Sequence, residues 1–193
     1  MKTIFLILCI VVCIILFTVS NFGGFMKKKD IYDIAYNLGV HYLDQVGYNP
    51  RYMVMFDIDD TLLHVSTQKP IKKMVKLLKD CKKRNLKVAI ITARDSKYKN
   101  ATLHDLENLG LVFQRDYDFF YLRISPQDDH EMFKSDVKED LYDQGFFTIM
   151  SVGDNTIDIV GPYSGYGIKL PNISDPRLFH VNHTGKLENV LIP

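Results

Sequence analysis

Three carboxylates stand within four residues in the stretch Phe56-Asp57-Ile58-Asp59-Asp60-Thr61-Leu62. They follow Arg51-Tyr52-Met53-Val54-Met55, an apolar, β-prone run that reads as a buried strand. In open α/β sheets, ligands sit in the crevice beyond the carboxyl ends of the strands. Carboxylates this close repel one another, so a cation is expected to join them, and oxygen-only ligands point to magnesium. Taken alone, the stretch is also compatible with a strand that ends in a solvated acidic turn.

Other polar residues fall at comparable places. Leu86 to Thr92 reads as a second strand, fully apolar at Val88-Ala89-Ile90-Ile91 and closed by Thr92. A strand over 146–152 runs into Gly153-Asp154-Asn155-Thr156-Ile157-Asp158, and Lys134 lies on the helix predicted before it, over 130–144. Further strands are expected over 119–124 and 166–170. Helices are expected over 30–46, where Ile31, Ile34, Ala35, Leu38, Tyr42 and Val46 recur at helical spacing, over 70–84 and over 98–109. Gly110 and Gly145 are the expected helix stops. Strands alternating with helices indicate a parallel sheet with right-handed crossovers.

The forms DxDxT (Asp57 to Thr61) and GDxxxD (Gly153 to Asp158), with a strand-terminal Thr92 and a lysine between, together resemble the haloacid dehalogenase-like (HAD) phosphohydrolase superfamily. Phe56 to Leu63, Ile91-Thr92-Ala93-Arg94, Phe133-Lys134-Ser135 and Lys169-Leu170-Pro171-Asn172 look like its subfamily IIIB, acid phosphatases that include plant vegetative storage proteins. The resemblance covers residues 52–172. It implies an α/β, three-layer, Rossmann-like parallel sheet in the order 5-4-1-2-3. Two departures stand out. Ala93 replaces a frequent glycine, and only residues 64–69 separate the first motif from the next helix, where relatives carry a longer segment. A minimal cap or none, and an open site, are therefore expected.

The chemistry follows from the residue types. Asp57 is expected to be the nucleophile that forms an aspartyl-phosphate. Asp59 would protonate the leaving alcohol and then deprotonate the attacking water, and crowding by other carboxylates is expected to let it hold a proton. Thr92, Ala93 and Lys134 are the expected phosphate ligands. Mg²⁺ would be held by Asp57, the backbone carbonyl of Asp59, and Asp154, with Asp158 direct or through water. The expected function is Mg²⁺-dependent phosphomonoester hydrolysis of a phosphorylated small molecule or phosphoprotein. Phosphoryl transfer to another alcohol, or a non-catalytic storage or binding role, are the alternatives. Each residue also has a plainer reading: Thr92 as a helix cap, Lys134 as an exposed lysine, Asp158 as a helix-terminus carboxylate. Asp60 reads as structural, and Arg94, His64 and Asn155 as lining residues. No Walker loop or Rossmann glycine fingerprint is present.

Composition sets the frame. The chain has 193 residues, of which 47% are hydrophobic and 12% aromatic, enough for a sizeable core. A net charge of +1 gives no ground for a nucleic-acid partner. Cys81 is the one cysteine outside the N-terminal apolar run, so the globular part has no disulfide framework. Residues 3–26 carry no charge, and their apolar length suits a membrane helix. The expected division is 1–26 as anchor or signal peptide, 27–50 as linker and N-terminal helix, and 51–193 as the phosphatase domain. The expected location is a single-pass membrane protein, or a secreted one after cleavage. The lysine-rich face of the 70–84 helix is expected to be solvated, with a polyanion- or lipid-binding patch as the sharper alternative.

Overall fold

The computed structural model describes residues 30–124, 130–181 and 187–189. The expected membrane anchor lies outside them. Among the described residues no helix is long and apolar enough to cross a membrane.

In chain order the elements are α1 (Ile31–Gln45), β1 (Tyr52–Phe56), α2 (Lys72–Lys83), β2 (Lys87–Asp95), a 3-10 turn (Ser96–Tyr98), α3 (Lys99–Asn108), β3 (Phe119–Arg123), α4 (His130–Asp143), β4 (Phe147–Gly153), α5 (Thr156–Ile159), β5 (Tyr166–Lys169), β6 (Phe179–Val181) and β7 (Leu187–Asn189). They form one sheet in the order β3-β2-β1-β4-β5-β6-β7. The five strands from β3 to β5 pair in parallel, in the order expected from the sequence. The expectation of a purely parallel sheet is corrected at one edge, where β6 and β7 add two antiparallel strands.

β1 sits at the centre, and its alternation builds both faces of the core. Val54 and Phe56 point to one side and pack in a cluster with Ala35 and Leu43 of α1 and Met74, Leu77, Leu78 and Cys81 of α2. Met53 and Met55 point to the other side, with Ala89 and Ile91 of β2 and Val137 and Leu141 of α4. Both faces are covered, which is why β1 and β2 read as unbroken apolar runs. This is the three-layer arrangement. Gly110 and Gly145, the expected helix stops, have φ of 72° and 86°.

One further expectation changes. β2 does not close at Thr92 but continues to Asp95, with a register shift against β3 between Thr92 and Asp95. This irregularity carries Ala93 and Arg94 over the end of the sheet. The basic face of α2 is solvated, as expected, and partly paired. Lys73 pairs with Asp33 of α1, Lys76 and Lys83 with Asp80, Arg84 with Asp44 of α1, and Lys82 and Lys87 with Asp118. These pairs tie α2 to α1 and to the residue before β3, with four carboxylates set against six basic side chains.

Residues 64–70 form a short turn-rich loop pinned by a bridge between Leu63 and Pro70. Between β2 and β3 stands only the turn and α3. Among the described residues neither segment holds a separate cap domain.

Candidate active site

β1 delivers Asp57 to the carboxyl edge of the sheet. The Asp57 amide donates to the Val152 carbonyl of β4 (3.0 Å), so the ladder runs one residue past β1 and fixes the Asp57 backbone. The extended chain then ends. The Ile58 carbonyl accepts from the amides of Thr61, Leu62 and Leu63 (3.2, 2.8 and 3.2 Å) and turns the chain back. Asp60 takes a positive φ of 47°, and its side chain accepts from the Val65 amide (3.0 Å), the structural part read from the sequence.

β4 ends beside β1 and delivers Asp154 and Asp158. Gly153 is required by close approach, since a Cβ there would lie 2.2 Å from the Asp158 side chain. Asp158 is fully buried. One of its oxygens accepts from the Asn155 amide (2.9 Å), completing a capping box on α5, and the other takes Lys134. Asp158 therefore caps α5 and also stands in the acidic cluster. Carboxylate oxygens of Asp57, Asp154 and Asp158 lie within 4.8 Å of one another, all three residues buried.

Lys134 comes from α4 across the sheet edge. It is 3% exposed, which excludes the plain surface-lysine reading, and its Nζ donates to Asp57 (2.8 Å) and to Asp158. Burial works against its charge, but the carboxylates of Asp57 and Asp158 prevail and hold the ammonium above the ordinary lysine value. Burial, helped by the charges of Asp158 and Asp154, pushes the Asp57 carboxyl up against the pull of Lys134. Burial and the Asp158 charge push Asp154 up to about 6, although Asn172 donates to it.

Three buried carboxylates facing one lysine leave a deficit of positive charge in a place with only oxygen donors. A hard divalent cation fits both features. The Asp59 carboxylate is not in this cluster.

The surroundings expected for Asp59 are corrected. Its neighbour is a cation, not a crowd of carboxylates. Arg94 Nε and Nη2 donate to the two Asp59 oxygens (2.9 and 2.7 Å), and Nη1 donates to Asp105 of α3 (2.7 Å). Thr92, also buried, is spent neither on another strand nor on a long helix. Its Oγ1 accepts from the Arg94 amide (3.3 Å) and keeps donor capacity at the sheet edge. Ala93 follows it, half-buried. His64 stacks edge-on against Tyr32 of α1 (centroids 5.6 Å apart), so α1 reaches the first motif.

Two site residues escaped the sequence reading as functional. Asn172, quoted there only as part of a subfamily block, donates to the Asp154 carbonyl (2.8 Å) and carboxylate (3.2 Å), and is itself held by the Asp175 amide (2.7 Å). Lys138, one turn after Lys134, is buried and donates to the Asp158 carbonyl (2.9 Å) and Ser164 Oγ (2.8 Å); burial lowers it to about 8. The i, i+4 spacing from Lys134 was its only available signal. Asn172→Ala is expected to weaken binding of a divalent cation at the acidic cluster roughly 10-fold, as loss of a ligand-orienting partner does. Titration of metal-dependent thermal stabilisation measures this, and unchanged affinity would remove the orienting role.

A doubly covered, mainly parallel sheet with buried carboxylates and a lysine at its carboxyl edge defines a HAD-like hydrolase. A family model described as "HAD superfamily, subfamily IIIB (Acid phosphatase)" matches residues 65–176, more than half of the chain. The chain belongs to this family and is a phosphoric monoester hydrolase of the acid phosphatase type. The matched span includes Thr92, Lys134, Asp154 and Asp158 and begins after Asp57.

The fold is similar to that of the class C acid phosphatase from Bacillus anthracis (19% identity, TM-score 0.56, 72% of this chain and 68% of that one). It is also similar to the tungstate-bound form of that protein (20%, 0.56, 70% and 66%) and to a chain of the Pnkp1/Rnl/Hen1 complex (16%, 0.55, 62% and 46%). Among curated proteins, none matches the chain.

Proposed function

We propose that the protein hydrolyses phosphomonoesters through an aspartyl-phosphate on Asp57, with Mg²⁺ held by Asp57, Asp154 and Asp158 together with the Asp59 carbonyl. The observation that carries this reading is Asp57 itself. It is a buried carboxylate fixed at the end of the central strand, beside two more carboxylates and Lys134. The cation supplies charge neutralisation between the carboxylates and an incoming phosphate.

Lys134 and Thr92 provide donors for phosphoryl oxygens, with the backbone at Ala93 beside them. Asp57 oxygen attacks phosphorus, and the bond from phosphorus to the alcohol oxygen breaks. Asp59 gives that oxygen its proton. In the second half, Asp59 takes a proton from water as the water oxygen attacks phosphorus. The bond from phosphorus to Asp57 then breaks, phosphate leaves, and both aspartates return to their starting state. Tungstate, bound by the similar Bacillus anthracis protein, is a reasonable phosphate mimic to try at the same edge.

Partitioning tests the intermediate. With an added alcohol as competing acceptor, the ratio of phosphorylated alcohol to free phosphate should be the same for aryl and alkyl substrates, because both pass through the same Asp57 phosphate. A ratio that follows the leaving group, or undiminished turnover in excess chelator, would overturn the mechanism. The same measurement reports directly on the alternative of phosphoryl transfer as the main activity.

A further inference from the structure

The site has a second layer on the Asp59 side that no motif announces. Arg94 is 18% exposed and touches two acids with three of its N–H groups. Its two-pronged face goes to Asp59. Its remaining nitrogen goes to Asp105, eleven residues further along the chain and on a different element. A planar guanidinium that meets a carboxylate with two parallel bonds fixes its orientation as well as its position. One lone pair on each Asp59 oxygen is used in this way, which leaves the outer lone pairs free to hold or receive a proton.

We propose that Asp105 and Arg94 are positioning residues for the proton transfers of Asp59. Asp105 sets the plane of the guanidinium, and the guanidinium holds the Asp59 carboxylate at one angle beside the reacting phosphate. When Asp59 gives its proton to the leaving oxygen, the carboxylate it becomes already faces a fixed cation. The inference rests on the acid/base reading of Asp59 and extends it to two residues.

The competing account is that Asp105 simply staples α3 to the end of β2. α3 buries only Thr102 and Leu106, so it has reason to need a staple. The two accounts differ in what they do to leaving groups. A poor leaving group needs its proton in the transition state, whereas p-nitrophenolate hardly does. The readout is therefore kcat/KM for p-nitrophenyl phosphate divided by kcat/KM for an alkyl phosphate, measured on the full chain with saturating Mg²⁺.

For Asp105→Asn, the alkyl value should fall about 10-fold and the aryl value less than about 3-fold, the scale of a small misplacement of a catalytic group. Arg94→Met should lower the alkyl value roughly 100-fold, and Arg94→Lys, which keeps the charge without the fork, should fall between the two. The inhibition constant of inorganic phosphate should stay within about 2-fold in Asp105→Asn, because positioning of a proton donor is not ground-state binding.

An equal loss on both substrates in Asp105→Asn and Arg94→Lys would overturn the proposal in favour of the staple. A large rise in the phosphate inhibition constant would overturn it in favour of anion binding by Arg94. Asp59→Asn separates this failure from that of the underlying reading. If Asp59→Asn handled alkyl phosphates like the parent, the acid role itself would be lost. If it were slow on alkyl phosphates while both neighbours affected the two substrates equally, only the positioning inference would fall.

Discussion

Asp57→Asn should be almost inactive and, without metal, more stable than the parent. The substitution keeps the shape of a side chain that is 5% exposed, and the carbonyl oxygen of asparagine can still accept from Lys134. The amide lacks the charge that attacks phosphorus, so turnover should drop by about 10⁴-fold or more, the scale seen when a nucleophile is removed. Stability moves the other way. In the metal-free protein, Asp57, Asp154 and Asp158 crowd within 4.8 Å around a single lysine. Removing one of three like charges relieves repulsion worth about 1–2 kcal/mol at the effective dielectric of such a site. Thermal melts in chelator should show a midpoint higher by roughly 2–5 °C. Added Mg²⁺ should then stabilise Asp57→Asn less than it stabilises the parent. Turnover within about tenfold of the parent would reject Asp57 as nucleophile. A lower metal-free midpoint would reject the electrostatic account of the cluster while leaving the chemistry standing.

What could be read in advance follows from which interactions are local. β1 and β2 announced themselves because both of their faces are buried, so their residues had to be apolar without interruption. The first motif was legible because three acids directly after such a strand are costly. β6 and β7 were missed for the opposite reason. Three residues give no period to recognise, and β6 follows a segment of aspartate, proline and arginine. The end of β2 was drawn too early because Arg94 and Asp95 are charged, and charge normally marks a loop.

The contacts around Asp59 show a different limit. The sequence placed it among carboxylates because they are its neighbours along the chain. The chain turns here, through the hydrogen bonds to the Ile58 carbonyl, so neighbours in sequence need not share surroundings. Arg94 then meets Asp59 from 35 positions away, and Asp105 in turn meets Arg94, at separations in sequence that no local pattern encodes. Asn172 likewise reaches Asp154 from 18 positions downstream. In each case the residue type was unremarkable for its own element, and only the packing gave it a partner.

Lys134→Met should be the most damaging single change to the fold at the site, and its damage should be reversible by metal. The methionine fills a similar volume on α4 but removes the single cation that Asp57 and Asp158 share. Breaking a buried ion pair from one side costs about 3–5 kcal/mol, because the remaining charges stay desolvated without a partner. In chelator this should lower the melting midpoint by roughly 10 °C for a chain of this size. Part of the penalty disappears if the carboxyls take up protons, so the deficit should shrink as pH falls. Burial and mutual repulsion already raise Asp57 and Asp154, and a group whose folded-state pKa is raised favours the folded state more as pH drops towards its unfolded value. Mg²⁺ should stabilise Lys134→Met more than it stabilises the parent, since it then meets the carboxylates without a competing ammonium. Activity should not return with stability. The phosphoryl oxygens lose a buried donor, which costs about 10²–10³-fold in turnover even in the metal-loaded, folded protein. Melts with and without Mg²⁺, paired with kcat on the same samples, test both halves. A Lys134→Met protein as stable as the parent in chelator would show that the buried carboxylates do not depend on this lysine, and near-parental turnover would remove it from phosphate binding.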